Sequence, residues 1–592
     1  MKKIYFPLVA FLVVTSLSFT LVIQSCKKSE SFLASTSTTN LNQTTVFADS
    51  AKTMGFLANI YTSIGFSSSA NRFGNGGLDA ASDEAEPFNT KATDASGFAT
   101  GTINAGTISN QAYNTCYTNI RAVNQLLANI SKTAMKAVNK TQVVAEARFL
   151  RAWYYAILLQ HYGGVPLVGD SLLTYTTPIN VKRATFAATV SYITSECDAV
   201  EPILPITQSG LNYGRASGGA CLALKARVLL WAASPLFNGT TLPTDAGASS
   251  SGAVDPSLVG YPTPDPTRWQ LAENAALAVI SSGQYSLNTT PATGIATTVP
   301  GAGFQGLFTM RTNPECILQV MEGANYDLES LFLPPSRSGG GGGFPYQDMV
   351  DAFPMNNGKL ITDPTSGYDP ANPYSNRDPR FNYTIIHDQT PLLIRNSSGQ
   401  AIGTGPVNIY NGLGNDGTPD AVHIGTVTGY YHNKMLDPNG LAATLFNTTN
   451  RCIPLMRYAE VLLNYAEAAN EFEGPTNNVY DAIKSVRTRA GLNPAALPTG
   501  LSQSQMRTYI QNERRIELAY EGFRFWDVRR WKIATTTENI QAQGMEVDKT
   551  TTSTAYNLFN VTKHNFRPAM YLWPFPLSET GKSPTLVQNP GY

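Results

Sequence analysis

The chain has 592 residues, of which 42 are basic and 42 acidic, so its formal net charge is zero and only 14% of it is charged. A neutral chain with no basic block beyond its N-terminus lacks the electrostatic footprint of a nucleic-acid binder. Its length exceeds what one ordinary core can use, and its 28 Tyr and 26 Phe supply ample apolar bulk for several packing units.

Lys2 and Lys3 precede an apolar run from Ile4 to Ile23, which ends in Gln24, Ser25 and Cys26. A positive start, an apolar stretch and a small residue at the cut predict a secretion signal over residues 1–25. Ser25 followed by Cys26 resembles the bacterial lipobox, which makes Cys26 the lipidation site. The alternative is an uncleaved membrane anchor, because the run approaches the ~20 residues that span a bilayer. Residues 26–45 are rich in Ser, Thr and Asn and predict a flexible tether.

Residues 46–280 predict a helical N-terminal region. Leu57, Ile60 and Ile64 form one apolar stripe, and Tyr113, Tyr117, Ile120, Asn124 and Leu127 form the next. Ala147, Leu150, Tyr154, Ile157 and His161 continue the pattern until Gly163, Gly164 and Pro166 stop it. Further helices are expected near residues 186–200, 219–233 and 268–280. Paired Ala- and Tyr-rich helices point to a tetratricopeptide-like stack. Cys116, Cys197, Cys221, Cys316 and Cys452 are odd in number and widely spaced, which fits small buried residues better than a disulfide framework or a metal site.

Residues 281–592 predict a C-terminal region in two parts that forms one unit with the first region. Over 281–450 Gly and Pro become frequent and helical periodicity fades, giving a long loop-rich segment. The glycine run Gly339 to Gly343 reads as a flexible loop. Helical periodicity returns over 451–592, where Tyr458, Leu462, Tyr465 and Ala469 share a face. The stretch from Gln511 to Lys532 holds the densest mixture of charge and aromatic residues. Arg514 and Glu517, Glu521 and Arg524, and Asp527 and Arg530 each sit three apart, where helical side chains of opposite sign can meet. With Arg515 and Trp526 they predict a buried brace, since ion-pair networks crowd charges as active sites do.

No catalytic constellation accompanies these residues. The five His are scattered with no HExxH, no GxSxG elbow occurs, and the GKS at Gly581 to Ser583 has Pro576 where a phosphate loop needs its first glycine. The expectation is a binding protein rather than an enzyme, with no cofactor. Asp363 and Asp369 are acidic loop residues that could meet Ca²⁺, but no EF-hand spacing surrounds them.

The order of several segments resembles the SusD/RagB family of outer-membrane lipoproteins. They are ASDEA at Ala81 to Ala85, RFLRAWYYAILLQHYGGVPL at Arg148 to Leu167, MVDAFPMNNGK at Met349 to Lys359, RDPRF at Arg377 to Phe381, RYAEVLLNYAEAANE at Arg457 to Glu471, ERRIELAYEGFRFWDVRRWK at Glu513 to Lys532, and the final NPGY. The resemblance implies an all-α fold of four tetratricopeptide-like helix pairs with an irregular ligand-binding half. It also implies a lipid-anchored, cell-surface protein that captures oligosaccharides for a SusC-like TonB-dependent transporter. A RagB-like peptide binder, or a mainly structural lid, is the alternative.

In the family, ligand contacts come from loops near the SDEA box and in the irregular half. The candidates here are Arg72, Phe73, Asp79, Asp83, Phe88, Lys91 and Phe98 in the first region, and Arg337, Phe344 and Tyr346 around the glycine run. Replacing Phe98 and Tyr346 by Ala is therefore expected to weaken oligosaccharide binding. All six Trp lie in helical or framework segments, which leaves Phe and Tyr as stacking platforms and argues against a starch-like site.

Overall fold

The computed structural model describes residues 43–592 except 89–92, 110, 174–180, 240–253, 397, 399 and 440–450. The signal segment, Cys26, most of the tether and Lys91 lie outside the described residues.

Helix formation follows the apolar stripes and their caps. Thr185 and Ser217 each accept a hydrogen bond from a first-turn amide of the helices Phe186–Val200 and Gly218–Ala233. Ser502 and Gln505 form a reciprocal capping box at the start of Gln503–Glu517. Gly491, in the left-handed conformation, closes Asn477–Ala490.

These helices stack in sequence. Gln111–Asn129 packs on Ala137–Tyr162, then come Phe186–Val200 and Gly218–Ala233, then Thr267–Ser281 and Tyr458–Glu473, then Asn477–Ala490 and Gln503–Glu517. Three helix pairs result, closed by Asn477–Ala490 and Gln503–Glu517, which both pack on Tyr458–Glu473, and the third pair is split: the whole loop-rich segment is inserted between its two helices. Strand Cys316–Met321 pairs antiparallel with Cys452–Arg457, which brings the two ends of the insertion together beside the stack. The scaffold therefore fixes where the irregular half sits.

Beside the helices the described residues form five small two-stranded antiparallel sheets, one of which ties Ala85–Glu86 to the insertion, so the fold is mostly α as expected. The longest is the hairpin Gln541–Lys549 with Thr554–Lys563. One large apolar cluster runs from Phe47 to Leu586 and so joins both regions, while smaller clusters fill the loop-rich half. At the centre of the large cluster Trp573 is fully buried, with Phe98, Phe73, His161 and Trp526 around it at 4.5 to 6.2 Å between ring centroids. No helix among the described residues is long and apolar enough to cross a membrane.

The stretch from Gln511 to Lys532 is more bent than its spacing predicts. The helix ends at Glu517, Tyr520 and Gly522 take positive φ of 57° and 77°, and a new helix runs from Arg524 to Arg530. The turn redirects the charges. Asp527 and Arg530 meet at 2.8 Å as expected, but Arg514 pairs with Asp527 at 2.7 Å rather than with Glu517, and Arg524 reaches Asp83 rather than Glu521.

Candidate functional site

The junction between stack and insertion is built on a turn and a glycine run that touch. Phe73, Gly74, Asn75 and Gly77 all have positive φ, which folds the chain back on itself just before the SDEA box. A side chain on Gly342 would come within 2.7 Å of the Asn75 carbonyl, and one on Gly76 would approach the Gly343 backbone at 3.3 Å. Gly341, Gly342 and Gly343 are buried. The run is therefore required for close packing, which corrects its reading as a flexible loop. Next to it Ala85–Glu86 pairs with Phe344–Pro345, tying the SDEA segment directly to the insertion.

The charged residues of the SDEA segment face inward. Asp83 accepts both prongs of Arg524, at 2.9 and 2.6 Å, and Arg515 lies 3.6 Å away. Burial alone would raise the Asp83 carboxyl, but these guanidiniums hold it at about 2. Glu84 takes the Arg515 Nε–H at 3.2 Å, and burial raises its pKa. Arg72 is buried against the rings of Phe66, Phe73 and Trp573, donates to the Ser67 carbonyl, and is lowered by burial to about 10. Asp79 is also buried; burial first, then Glu84, push its carboxyl well above the usual range.

Behind them lies the brace. Glu517 receives Arg380 at 2.9 Å, Arg457 at 2.7 Å and Arg489, and Glu521 receives Arg457 at 2.6 Å and Lys434 at 2.7 Å. Arg530 binds Glu467 at 2.5 Å, and the Trp531 indole donates to the same carboxylate at 2.7 Å. Arg380, Arg457 and Glu517 are at most 1% exposed, so these pairs link helix stack and insertion through the interior. Sequence spacing does not mark Arg380, Arg457, Arg489 or Lys434 as partners of Glu517 and Glu521, which lie 28 to 137 residues away from them along the chain.

The structure separates the aromatic candidates. Phe98 is 2% exposed, with its ring 5.1 Å from both Phe525 and Trp573. Tyr346 is 1% exposed, and its hydroxyl donates to the Glu86 carboxylate and lies 3.2 Å from His564. Phe344 is buried too, and Arg337 is held by Ser336 and by the Gly405 carbonyl at 2.9 Å. These side chains build the interior of the junction and present no face to a ligand. Phe88 differs: it is 51% exposed, its ring centroid 6.4 Å from that of Phe344.

Phe344 links this exposed ring to the far side of the insertion. Its ring lies 5.8 Å from Tyr431, and a side chain on Gly425 would collide with the Tyr431 hydroxyl. Ile424, next to Gly425, is 63% exposed, and His423 sits 4.7 Å from the Phe559 ring. No periodicity marks Ile424 or His423 in the sequence, where the AVHIGTVTG turn is the signal around them. Five of the six Trp are buried, and the sixth, Trp269, is half-buried on the stack. The Asp363 carboxylate accepts from the amide and hydroxyl of Thr365, and the Asp369 carboxylate from the Ala371 amide and the Asn372 side chain, as turn caps. Among the described residues no group of three or more His, Cys, Asp or Glu could hold a metal ion.

Comparison with known proteins places this geometry. Residues 314–592 match the SusD family, and residues 31–230 match a family described as starch-binding and associating with the outer membrane. SusD-like protein P38 of Formosa agariphila is 24% identical over 412 residues, 66% of this chain and 66% of that protein. Matches to two further proteins of that organism reach 34% identity but span only about a quarter of their length. A SusD-like protein of Bacteroides fragilis superposes with a TM-score of 0.72 at 22% identity, over 92% of this chain and 98% of its own. A laminarin-binding SusD-like protein superposes with a TM-score of 0.61 at 20% identity, over 92% of this chain and all of its own.

Proposed function

This chain belongs to the SusD family, and we propose from that premise that it is a surface lipoprotein of the outer membrane that captures oligosaccharides and passes them to a SusC-like TonB-dependent transporter. The observation that carries the reading is the exposed Phe88 ring, held on Phe344 above a packed glycine run. A sugar ring has an apolar face of C–H groups that stacks on such a platform, while its hydroxyls need polar partners around it. The half-exposed His423 and neighbouring loop backbone supply polar groups on the same half of the molecule. The laminarin-binding neighbour and the starch-binding description of the matched family point to the same ligand class. The charged groups of the junction are taken up by buried ion pairs, which fits a binder rather than a catalyst.

Phe88→Ala is expected to weaken binding of an oligosaccharide found on a glycan array by about tenfold, roughly 1–2 kcal/mol, as the stacking surface is lost. Calorimetric titration checks this, and an unchanged affinity places the ligand elsewhere. For the anchor, Cys26→Ala is expected to abolish labelling by palmitate and release the protein from the membrane fraction; labelling retained in that variant contradicts the lipidation site.

A further inference from the structure

A cavity of about 170 Å³ opens where the helix stack meets the first strand of the insertion. One wall comes from residues 207–217, ahead of the helix Gly218–Ala233, and another from Gln284 and Tyr285, just after the helix Thr267–Ser281. The strand Cys316–Met321 supplies Ile317 and Gln319. The space is many times the roughly 10–15 Å³ that one water needs, yet below the ~300–1,000 Å³ of pockets for larger ligands.

Gln319 is the unusual member of this lining. It is 4% exposed, and its carboxamide makes no hydrogen bond at either end to a described residue. A buried amide left wholly unpaired is rare and calls for a partner. Its oxygen is enclosed by protein, whereas its nitrogen keeps accessible surface and faces the cavity. The wall therefore holds a fixed donor that nothing uses.

Further unused groups stand around it. Gln208 donates through its nitrogen to the Ala216 carbonyl at 2.6 Å, and Gln284 to the Ser282 carbonyl at 3.2 Å, so both amide oxygens are left to accept. The Thr207 hydroxyl, which can donate or accept, has no partner among the described residues. Tyr213 and Tyr285 are half-buried, and their hydroxyls donate to the Asn313 and Ile206 carbonyls at 3.3 and 3.1 Å, so their rings are what they offer. Among the described lining residues only Arg215 is charged, and the buried Glu146 carboxylate takes its Nε–H at 3.0 Å. Donors and acceptors without net charge, set beside aromatic rings, match a carbon ring whose neighbouring hydroxyls each donate and accept and whose faces are C–H.

We propose that this cavity is a second binding site, for a single neutral sugar ring, with the Gln319 amide as its fixed donor. Neither Phe88 nor Phe344 lines it, so it is separate from the Phe88 face and does not depend on that reading.

Saturation-transfer NMR on the folded protein with D-glucose, D-galactose and D-mannose, and with D-glucuronate and D-glucosamine as charged counterparts, tests this. At least one neutral sugar is expected to give a saturable signal. Gln319→Leu keeps the bulk of the side chain and removes the unpaired amide, so it should weaken binding about tenfold without lowering the melting transition. Thr207→Val, at a half-buried wall position, should weaken it in the same direction, and it carries the comparison if Gln319→Leu does not fold. Phe88→Ala should leave the signal in place. No signal from any neutral sugar, a signal that survives both cavity variants, one lost in Phe88→Ala, or one confined to the charged sugars would each overturn the proposal.

Discussion

Replacing Glu517 by alanine is expected to collapse the cooperative unfolding transition toward low temperature, because three buried guanidiniums lose their shared carboxylate. Arg380 and Arg457 lie 2.9 and 2.7 Å from it and Arg489 closer still, all at most 2% exposed. Burial favours the neutral acid, yet the guanidiniums outweigh it and hold the Glu517 carboxyl far below the usual range. Removing one partner of a buried pair costs about 3–5 kcal/mol, since an uncompensated charge stays behind. Against the roughly 5–15 kcal/mol that separates most folded domains from their unfolded chains, that loss is large. Glu521, Glu315 and Asp378 already bind Arg457, Arg489 and Arg380, so they can offset only part of it. Scanning calorimetry checks the outcome, and a melting transition equal to that of the wild type would show that these pairs brace nothing.

Trp526→Ala carries the second large effect. Trp526 packs against Trp573, Phe525, His161 and Trp231 with ring centroids 4.7 to 6.3 Å apart, at the place where the bent stretch meets the stack. Truncating a buried indole costs about 3–5 kcal/mol through lost transfer energy and the cavity left behind. Surface display should fall, while the folded fraction keeps its oligosaccharide affinity, because the residue lies in the interior and the Phe88 ring on the surface. Phe98→Ala belongs to the same class and should act on stability, not on binding as the sequence led one to expect. Titration of the purified folded fraction separates the two: reduced affinity there would mean that the brace shapes the ligand face directly.

The helix stack was legible because apolar residues recur every three to four positions and Gly, Ser and Thr mark the ends. What the sequence concealed is long-range. Nothing local announces that the third helix pair is split by the insertion, or that Arg457 and Arg380 turn toward Glu517. The bend at Tyr520 and Gly522 rearranged pairs that looked like neighbours on one helix. Phe98 could have been recognised as interior, since Ala95, Phe98 and Ala99 share one helical face and all are buried. Tyr346 gave no such signal: its burial follows from pairing of two-residue strands far apart in the chain. Phe88 and Phe344 were both named from sequence, yet only the fold separates the exposed ring from the buried one beneath it.

The most direct test of the account is an oligosaccharide array probed with the protein lacking its signal and tether, in wild-type form and as Phe88→Ala. The account predicts that the wild type binds at least one glycan class and that the variant, with an unchanged melting transition, binds it about tenfold more weakly. No glycan bound by the wild type, together with peptides that co-purify with it, would contradict the account.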